Sequence, residues 1–433
     1  MASLAGTLEA KIRARDARLA GLNVPPAFVL PAYDGLSIVN VPTSVAQIFG
    51  AQPHRPPLEP AILAPFLTGV RQVVVVMVDA LSYQTLRRAL SANRRNGFNR
   101  LRRAGGRLLP LTSVFPSTTT AALSSLWTGY TPAEHGLVGY QLFLREYGVR
   151  ANMISYSPSA TQGLGREQLL TAGLEPEAFL PVPTLPETLA AVGVPVFNVL
   201  EQPFTRSALG RTQFRGVRET HGIVSAADLW TSVRQRLEAL RGQRAVIMAY
   251  WSAVDLIGHL YGPDSEIILA EVDNLAYSFE RELWDRLPSA ARRGVLFLLT
   301  ADHGMAAVPS DQVVYMHKHP ALRDRLMVSY TGDARAAYLH CRQGQAEAVR
   351  HYLETRLGDQ FFVLEAEAAL EAGLLGRGSF AAETRNRIGD LIVVSRGGAS
   401  FCDRKKPPEE TGRHGGLLPE EMLVPLLAAR LDA

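Results

Sequence analysis

Short apolar runs rich in β-branched residues alternate with segments of helical periodicity along most of this chain. The runs lie at Val73–Val78, Val194–Leu200, Ala245–Tyr250 and Val295–Thr300, with a weaker one at Asp390–Ser395. Helical patterns lie between them at Ser82–Arg95, Ala226–Leu240 and Ser265–Leu287. Continuous apolar runs of this length are typical of parallel strands buried on both faces. The alternation predicts an α/β fold with a mostly parallel central sheet sandwiched by helices.

The same pattern divides the chain into four ranges, which are 1–70, 71–305, 306–406 and 407–433. The first begins with a charged amphipathic stretch and continues through many prolines, which predicts a helix followed by an extended wrap. The second holds the strand–helix alternation and forms the predicted catalytic core. The third is interpreted as a small inserted α+β cap, from strand-like and helical patterns at Arg335–Cys341, Phe361–Leu364 and Gln345–Leu357. The fourth returns to the core, and Pro419 begins a short C-terminal helix.

Composition and charge narrow the class of protein. The 433 residues are 47% hydrophobic and 20% charged, which suits a globular α/β core with insertions. The net charge of +4 is small and the arginines are scattered, so we expect no nucleic-acid partner. No apolar run approaches the roughly 18 to 20 residues that cross a bilayer, and the N-terminus does not resemble a secretory signal. We therefore expect a cytoplasmic protein without a membrane partner.

The two cysteines give no sign of a disulfide framework or a CxxC metal site. Cys341 and Cys402 are far apart in the sequence, and we expect two buried, unpaired thiols. The sequence carries no signal for an oligomeric state.

Seven residues along the chain carry metal-ligand or nucleophile chemistry, in an order and spacing that fit one site. They are Asp79, Thr119, Asp255, His259, Asp302, His303 and His414. Asp79 and Asp302 follow apolar runs, so they lie at the carboxyl ends of strands, where the sites of open α/β sheets form. Asp255 and His259 are four residues apart and share one face of a helical turn. Three Asp, three His and a hydroxyl suffice to bind two divalent cations around a nucleophile, which favours a hydrolase.

Each of these features also has a purely structural interpretation. Asp79 fits an N-cap for the helix near Ser82, and Asp302 fits a turn residue that caps the next element. Asp255 with His259 fits a surface helix pair, and His414, between glycines, fits an exposed loop. No structural reason accounts for all of them in one ordered set.

A cluster of hydroxyls begins the helical segment after Phe115-Pro-Ser. Thr118, Thr119 and Thr120 precede a run of good helix formers, so helix capping is one interpretation. The functional interpretation uses the same position, because a helix N-terminus offers free N–H groups and a positive field to a phosphoryl oxygen. A bound metal would lower the pKa of such a hydroxyl and make it a nucleophile.

These segments resemble the type I phosphodiesterase/nucleotide pyrophosphatase family of the alkaline phosphatase superfamily. The resemblance rests on Phe115–Thr119, Thr128–Gly136, the Asp255-x-x-x-His259 pair, Asp302-His303-Gly304 and His414-Gly-Gly. It implies Thr119 as the nucleophile, with Thr118 and Thr120 as alternatives for the register. It implies two divalent metal ions, one held by Asp255, His259 and His414 and the other by Asp79, Asp302 and His303. Zinc is the usual family metal, and Mn²⁺ is the alternative.

The resemblance implies a two-metal phosphoesterase that hydrolyses small phosphodiesters, among them nucleotide-derived ones, through a phospho-threonine intermediate. A phosphomonoesterase on the same scaffold is the alternative, and a non-catalytic protein that binds metal or phosphate is a third hypothesis. This sequence departs from the family pattern at one position of the phosphate site. Tyr140 stands where the family's pyrophosphatases usually carry an Asn, so a phenol replaces an amide as a candidate substrate-binding group. Lys405, Lys406 and Arg413 are candidates for additional positive charge at the rim.

Overall fold

The computed structural model describes residues 3–14, 22–161, 165–405 and 410–433. A sheet of seven strands lies at the centre of these residues. From one edge to the other its strands are Arg107–Thr112, Leu423–Arg430, Val295–Thr300, Gln72–Val78, Ala245–Trp251, Val196–Glu201 and Glu219–Ile223. Leu423–Arg430 pairs antiparallel with both of its neighbours, and the remaining pairs are parallel. The predicted mostly parallel sheet is confirmed.

The central strands are the most apolar part of the chain. Every residue of Gln72–Val78, Ala245–Trp251 and Val295–Thr300 is buried. Because helices cover both faces of a parallel sheet, both faces of each strand select apolar side chains, and β-branched residues fit the pleat. The predicted ends of these strands are correct to within two residues.

All but one of the helices of nine residues or more in the described part of the chain belong to the core around these strands, whereas Ala346–Leu357 packs against the strand Phe361–Glu365. The helices of this length are Leu4–Arg13, Asn40–Ile48, Tyr83–Ala92, Thr119–Thr128, Ala226–Ala239, Ala253–Tyr261, Glu266–Ser278 and Ala346–Leu357. Helices of five to seven residues are Gly97–Arg103, Leu185–Ala190, Ala208–Gln213, Ala366–Glu371 and Thr384–Ile388. Single helical turns include Pro60–Leu63, Pro132–His135, Gln168–Thr171, Pro176–Phe179, Ser289–Arg292, Pro320–Arg323 and Pro419–Met422. None of the described helices is long and apolar enough to span a membrane.

Two helical predictions need correction. Range 1–70 contains a second, buried helix at Asn40–Ile48, where the sequence predicted only an extended wrap. The predicted helix Ser265–Leu287 changes character at Ser278, because Phe279–Trp284 continues as a π-helix. The wider turn accompanies close packing of Phe279 against Phe98 and Trp230, at ring-centroid distances of 5.4 and 5.2 Å.

The described residues also form a second sheet of seven short strands, in which every pair of neighbouring strands is antiparallel. In order its strands are Phe361–Glu365, Leu391–Ser395, Ala336–Leu339, Thr331–Gly332, Gln141–Leu144, Val149–Asn152 and Ser157–Pro158. Strands from range 71–305 and from range 306–406 therefore share one sheet. The strand predicted at Asp390–Ser395 is confirmed as Leu391–Ser395, but it lies in this second sheet and not in the parallel central sheet. Its apolar run Leu391–Ser395 is buried between two antiparallel neighbours instead, and such runs look alike in sequence.

Two pairs of short strands complete the described β structure. Ala306–Ala307 pairs with Gly412–Arg413, and Val313–Tyr315 pairs with Ser400–Cys402. Cys341 and Cys402 are both buried and free, as predicted.

The chain ends in a strand that the sequence did not reveal. The helix beginning at Pro419 is a single turn, and Leu423–Arg430 then enters the central sheet beside Val295–Thr300. Pro425 lies inside this strand, opposite Pro110 of the neighbouring strand. A proline within an apolar run argues against a strand that is paired on both sides, and this concealed the element.

His135 is fully buried against the helix Thr119–Thr128. The Leu137 backbone N–H donates to its Nδ1 at 3.1 Å, so Nε2 carries the proton and donates to Ser125 Oγ at 3.1 Å. A second proton on Nδ1 would break the bond to Leu137 and place a charge in the core. Burial therefore lowers the pKa of His135 to about 3.

We expect His135→Gln to make the free energy of unfolding depend less on pH below about 6.5. The folded-state pKa lies below the unfolded value of about 6.5, so the unfolded chain binds this proton first. The free energy of unfolding then falls as the pH drops from about 6.5 toward 3. In urea titrations, wild type should be more stable near neutral pH, and its advantage should shrink by about 1 to 3 kcal/mol near pH 4.5. An advantage that does not change with pH would contradict this account of His135.

Candidate metal centre and active site

Three adjacent parallel strands deliver most of the candidate residues to one edge of the central sheet. Asp79 follows Gln72–Val78, and Asp302 with His303 follows Val295–Thr300. Asp255 and His259 lie in the helix Ala253–Tyr261, which begins just after Ala245–Trp251. Because parallel strands present their carboxyl ends at the same edge, these side chains meet there.

Asp79, Asp302 and His303 form a buried first group. His303 Nε2 lies 3.4 Å from Asp79 Oδ1 and 3.5 Å from Asp302 Oδ2. Candidate ligand atoms of the three residues lie within 4.8 Å of one another. The spacing leaves room for one ion between them.

Asp255, His259 and His414 form a second group. Asp255 Oδ1 lies 3.4 Å from His259 Nε2 and 3.7 Å from His414 Nε2. The His414 ring stacks on that of His303 with a centroid distance of 3.9 Å, which places the two groups side by side. The structure thus brings all six predicted ligand residues together in the two sets that the sequence predicted.

Backbone carbonyls orient all three imidazoles in the same way. Nδ1 donates to Gly412 O in His259, to Gly304 O in His303 and to Ser117 O in His414, at 2.8, 2.8 and 3.2 Å. Each ring therefore turns its Nε2 toward the carboxylates, where it is available as a metal ligand. This is the arrangement in which proteins hold histidine ligands of a metal.

Three carboxylate oxygens of the two groups are buried and have no hydrogen-bond partner among the described residues. They are Asp79 Oδ1, Asp255 Oδ1 and Asp302 Oδ2, and each faces an Nε2. Burial, followed by repulsion from Asp302 and Asp255, raises the pKa of Asp79 well above its usual range. Buried carboxylates of this kind are costly unless a cation meets them. Three carboxylates and three imidazoles fit two divalent cations.

The three threonines that are candidates for the nucleophile have different surroundings. Thr119 is the first residue of its helix, and its Oγ1 lies 3.1 Å from His303 Nε2. Thr118 Oγ1 donates to Asp333 Oδ2 at 2.8 Å, away from the two groups. Thr120 is fully buried, and its hydroxyl has no partner in the described residues. Thr119 is the hydroxyl that the fold presents to the first group.

Tyr250 supports the first group and was not singled out in the sequence. It lies near the end of the strand Ala245–Trp251, where its hydroxyl donates to Asp79 Oδ2. Burial and the nearby Asp79 raise the pKa of Tyr250 well above its usual range, so the phenol keeps its proton. An apolar strand gives no sequence signal for this role.

A buried ion pair, Arg335 with Glu421, ties the second sheet to two loops of the site. Both side chains are fully buried, with Nε–Oε1 and Nη2–Oε2 distances of 2.7 and 2.9 Å. The Gly416 N–H donates to Glu421 Oε1, and the Gly304 N–H donates to the Glu421 carbonyl, each at 2.8 Å. The pair therefore fixes the loops that follow His303 and His414. The sequence gave no hint of it, because its partners are far apart in the chain.

Two cavities open from the site, and they differ in chemistry. A polar cavity of about 750 Å³ is lined by Tyr140, Arg150, Asp333, Arg404 and Arg413, among others. An apolar cavity of about 270 Å³ is lined by side chains such as Leu123, Trp127 and Phe214. Thr119, Ile154 and Asp255 border both. Thr119 therefore lies at the junction of the two spaces.

Two of the residues proposed from sequence to hold phosphate, Tyr140 and Arg413, border the polar cavity. The Asn152 amide donates to the Tyr140 phenol oxygen at 2.6 Å, which leaves the phenol proton for another acceptor. Arg413 is paired with Glu410. Lys405 is exposed, and Lys406 lies outside the described residues.

Comparisons with known proteins identify the family and similar folds. A family model described as type I phosphodiesterase / nucleotide pyrophosphatase matches residues 73–417. Among curated proteins, no sequence matches this chain.

Solved structures with a similar fold include two ectonucleotide pyrophosphatase / phosphodiesterase 5 proteins. The murine protein is 17% identical with a TM-score of 0.61, covering 83% of this chain and 89% of its own. The human protein is 16% identical with a TM-score of 0.62, covering 82% and 87%. Phosphonoacetate hydrolase from Sinorhizobium meliloti 1021, in complex with phosphonoformate, is 20% identical with a TM-score of 0.60, covering 84% and 91%.

Proposed function

We propose that this chain, which belongs to the type I phosphodiesterase / nucleotide pyrophosphatase family of hydrolases, cleaves small phosphodiesters with Thr119 as the nucleophile. The observation that carries the proposal is the pair of cavities that diverge from Thr119. A phosphodiester has two organic substituents, and each cavity offers space to one of them. A monoester has a single substituent and would leave one cavity unused.

Charge in the polar cavity also favours a diester. A monoester carries a second negative charge on phosphorus, and binding it calls for an additional cation. Two of the arginines lining this cavity are already neutralised, since Arg150 pairs with Asp403 and Arg413 pairs with Glu410. A diester carries a single negative charge, so its binding needs fewer cations in this cavity.

The reaction would consist of two displacements at phosphorus. Thr119 Oγ1 releases its proton to water and attacks phosphorus, while the bond to one substituent breaks and that group leaves as an alkoxide or phenolate that takes up a proton from water. A phospho-threonine ester of the other substituent remains. Water then attacks phosphorus, and the Thr119 oxygen leaves and regains a proton. The N-terminus of the helix Thr119–Thr128 directs its positive end at the phosphoryl oxygens during both steps. Divalent cations in the two ligand groups would neutralise phosphoryl charge and lower the pKa of the Thr119 hydroxyl.

We propose zinc as the metal, with Mn²⁺ as the alternative, and expect two ions per chain. Imidazole suits zinc, and the equal number of carboxylates also permits manganese. Asp255→Asn and Asp302→Asn each remove one carboxylate from a different group, so each variant should retain about one ion. Elemental analysis after dialysis measures the content. Two ions in both variants would mean that these residues are not ligands.

Tyr140 is proposed to donate a hydrogen bond to a phosphoryl oxygen in place of the family's Asn. The Asn152 amide orients the phenol by donating to its oxygen. Tyr140→Phe should lower kcat/KM on a diester roughly 3- to 10-fold, the value of one hydrogen bond. Asn152→Leu should cost less once Tyr140 is Phe, because in wild type it also removes the bond that orients the phenol. Fully additive losses would show that the two residues act separately.

Initial rates on two aryl phosphates test the proposed function. Zinc- or manganese-loaded protein is assayed with bis(p-nitrophenyl) phosphate, a diester, and with p-nitrophenyl phosphate, a monoester. We expect kcat/KM for the diester to exceed that for the monoester by at least about tenfold. A monoester preference would assign the chain to the phosphomonoesterase alternative. Two bound ions without turnover of either ester would support the non-catalytic hypothesis.

A further inference from the structure

A tight turn of the second sheet brings a carboxylate into the wall of the polar cavity. The turn connects two short antiparallel strands, and within it the Asp333 N–H donates to Ala336 O at 2.9 Å. Gly332 has a φ of 76°, and a Cβ on it would lie 2.4 Å from Ala336 O, so the turn requires a glycine here. Arg335 of the same turn is anchored by its buried ion pair. The position of Asp333 is therefore fixed on both sides.

Asp333 contacts the neighbours of two residues of the candidate site. Thr118 Oγ1, next to Thr119, donates to Asp333 Oδ2 at 2.8 Å. A Cβ on Gly415 would lie 2.8 Å from Asp333 Cβ, so the residue that follows His414 packs directly on this side chain. Asp333, Thr119 and His414 all border the polar cavity. The carboxyl group therefore lies beside the nucleophile, on the side of the polar cavity.

The hydrogen bonds of Asp333 are those of an ionised carboxylate. Its Oδ2 accepts from Thr118, and its Oδ1 accepts from the Ala334 N–H at 2.6 Å. Burial raises the pKa of Asp333, and these two hydrogen bonds oppose the rise because they stabilise the ionised form. At a mildly alkaline pH we therefore expect one negative charge at this position.

Among the described residues, no arginine or lysine forms an ion pair with Asp333. Arg150 and Arg413 line the same cavity, but they pair with Asp403 and Glu410. A phosphate monoester carries a second negative charge above a pH of about 6, whereas a diester carries only one. The carboxylate of Asp333 therefore repels a bound monoester more strongly than a bound diester.

We propose that Asp333 is a specificity-determining residue, whose negative charge disfavours phosphate monoesters at Thr119. The proposal rests on the proposed function, because it identifies the residue behind the expected preference for diesters. Asp333 acts on the bound substrate through its charge and takes no part in forming or breaking bonds. Since hydrolysis of a diester produces a monoester, the same charge also favours release of the product.

Asp333→Asn tests the proposal, because it removes the charge and keeps the shape of the side chain. Both metal-loaded proteins are assayed at about pH 8, where the monoester is a dianion, with bis(p-nitrophenyl) phosphate and p-nitrophenyl phosphate. We expect the ratio of kcat/KM for the monoester to kcat/KM for the diester to rise about tenfold in the variant. The inhibition constant of phenyl phosphate against the diester should fall by a similar factor.

Two further variants separate the effect of charge from a structural effect. Asp333→Glu retains the charge and should retain the wild-type ratio, even if both rates fall. Glu367→Gln removes one negative charge from an exposed ion pair outside the polar cavity, and it should also leave the ratio unchanged. A purely structural role of Asp333 would lower both rates in Asp333→Asn by the same factor.

An unchanged ratio in Asp333→Asn, with both esters hydrolysed, would overturn the proposal. If this variant does not fold, Asp333→Ser gives the same comparison with a smaller side chain. If wild type hydrolyses neither ester, the proposed function fails, and calorimetric affinities of phenyl phosphate and diphenyl phosphate decide the role of Asp333. Tighter binding of phenyl phosphate alone in Asp333→Asn would support that role, and equal changes for both compounds would contradict it.

Discussion

Thr119→Ala is expected to lower kcat on a phosphodiester by about 10³-fold or more, with both metal ions retained. The loss is large because the substitution removes the atom that would bond to phosphorus, and no other described hydroxyl lies so close to His303. Thr119→Ser keeps a hydroxyl at the same position and should retain measurable turnover. Initial rates together with metal content separate loss of the nucleophile from loss of the site.

Neighbouring threonines provide matched controls. Thr120→Val replaces a hydroxyl that has no partner among the described residues with a methyl group of similar size, so turnover should stay within about tenfold of wild type. Thr118→Val removes the bond to Asp333 and should lower stability more than turnover. Loss of activity in Thr120→Val with retention in Thr119→Ala would show that the register of the nucleophile is wrong.

Glu421→Gln is expected to destabilise the fold by about 3 to 5 kcal/mol, because it leaves the Arg335 charge buried without its partner. For a chain of this size, the melting temperature should fall by roughly 3 to 6 °C. The substitution also weakens the bond that holds Gly416 beside His414, so the metal content should fall. Thermal unfolding and elemental analysis measure the two effects on the same samples.

An exposed ion pair of arginine and glutamate is the control for the buried one. Arg385 and Glu367 are bonded at 2.7 Å, but their side chains are 53% and 51% exposed. Glu367→Gln should change stability by about 1 kcal/mol at most and leave the metals in place. The double variant Arg335→Met/Glu421→Leu should regain stability without regaining the bond to Gly416. Equal effects of Glu421→Gln and Glu367→Gln would contradict the role assigned to the buried pair.

The candidate site was largely predictable because local rules place its residues. Asp79 and Asp302 end apolar strands, and Asp255 and His259 share a helix face, so their positions follow from strand polarity and helical spacing. The family resemblance assigned His414 to the second group, and the fold brings it there from the end of the chain. The assignment of the nucleophile depends on which threonine hydroxyl turns toward His303. The sequence alone leaves Thr118, Thr119 and Thr120 as alternatives.

What the sequence did not reveal depends on long-range contacts. Leu391–Ser395 is a buried apolar run like those of the central sheet, and only its neighbours show that it belongs to the second sheet. The two prolines at Pro110 and Pro425 concealed a central strand. The Arg335–Glu421 pair and the Tyr250–Asp79 bond each join residues that are distant in sequence and have no local signal.

The stereochemical course at phosphorus tests the central claim most directly. A diester made chiral at phosphorus by sulfur substitution is hydrolysed in water enriched in the heavy oxygen isotope ¹⁸O, and the configuration of the product is determined. Each in-line displacement inverts phosphorus, so attack by Thr119 followed by attack of water predicts overall retention. Inversion would show that water attacks the diester directly, and it would contradict a phospho-threonine intermediate.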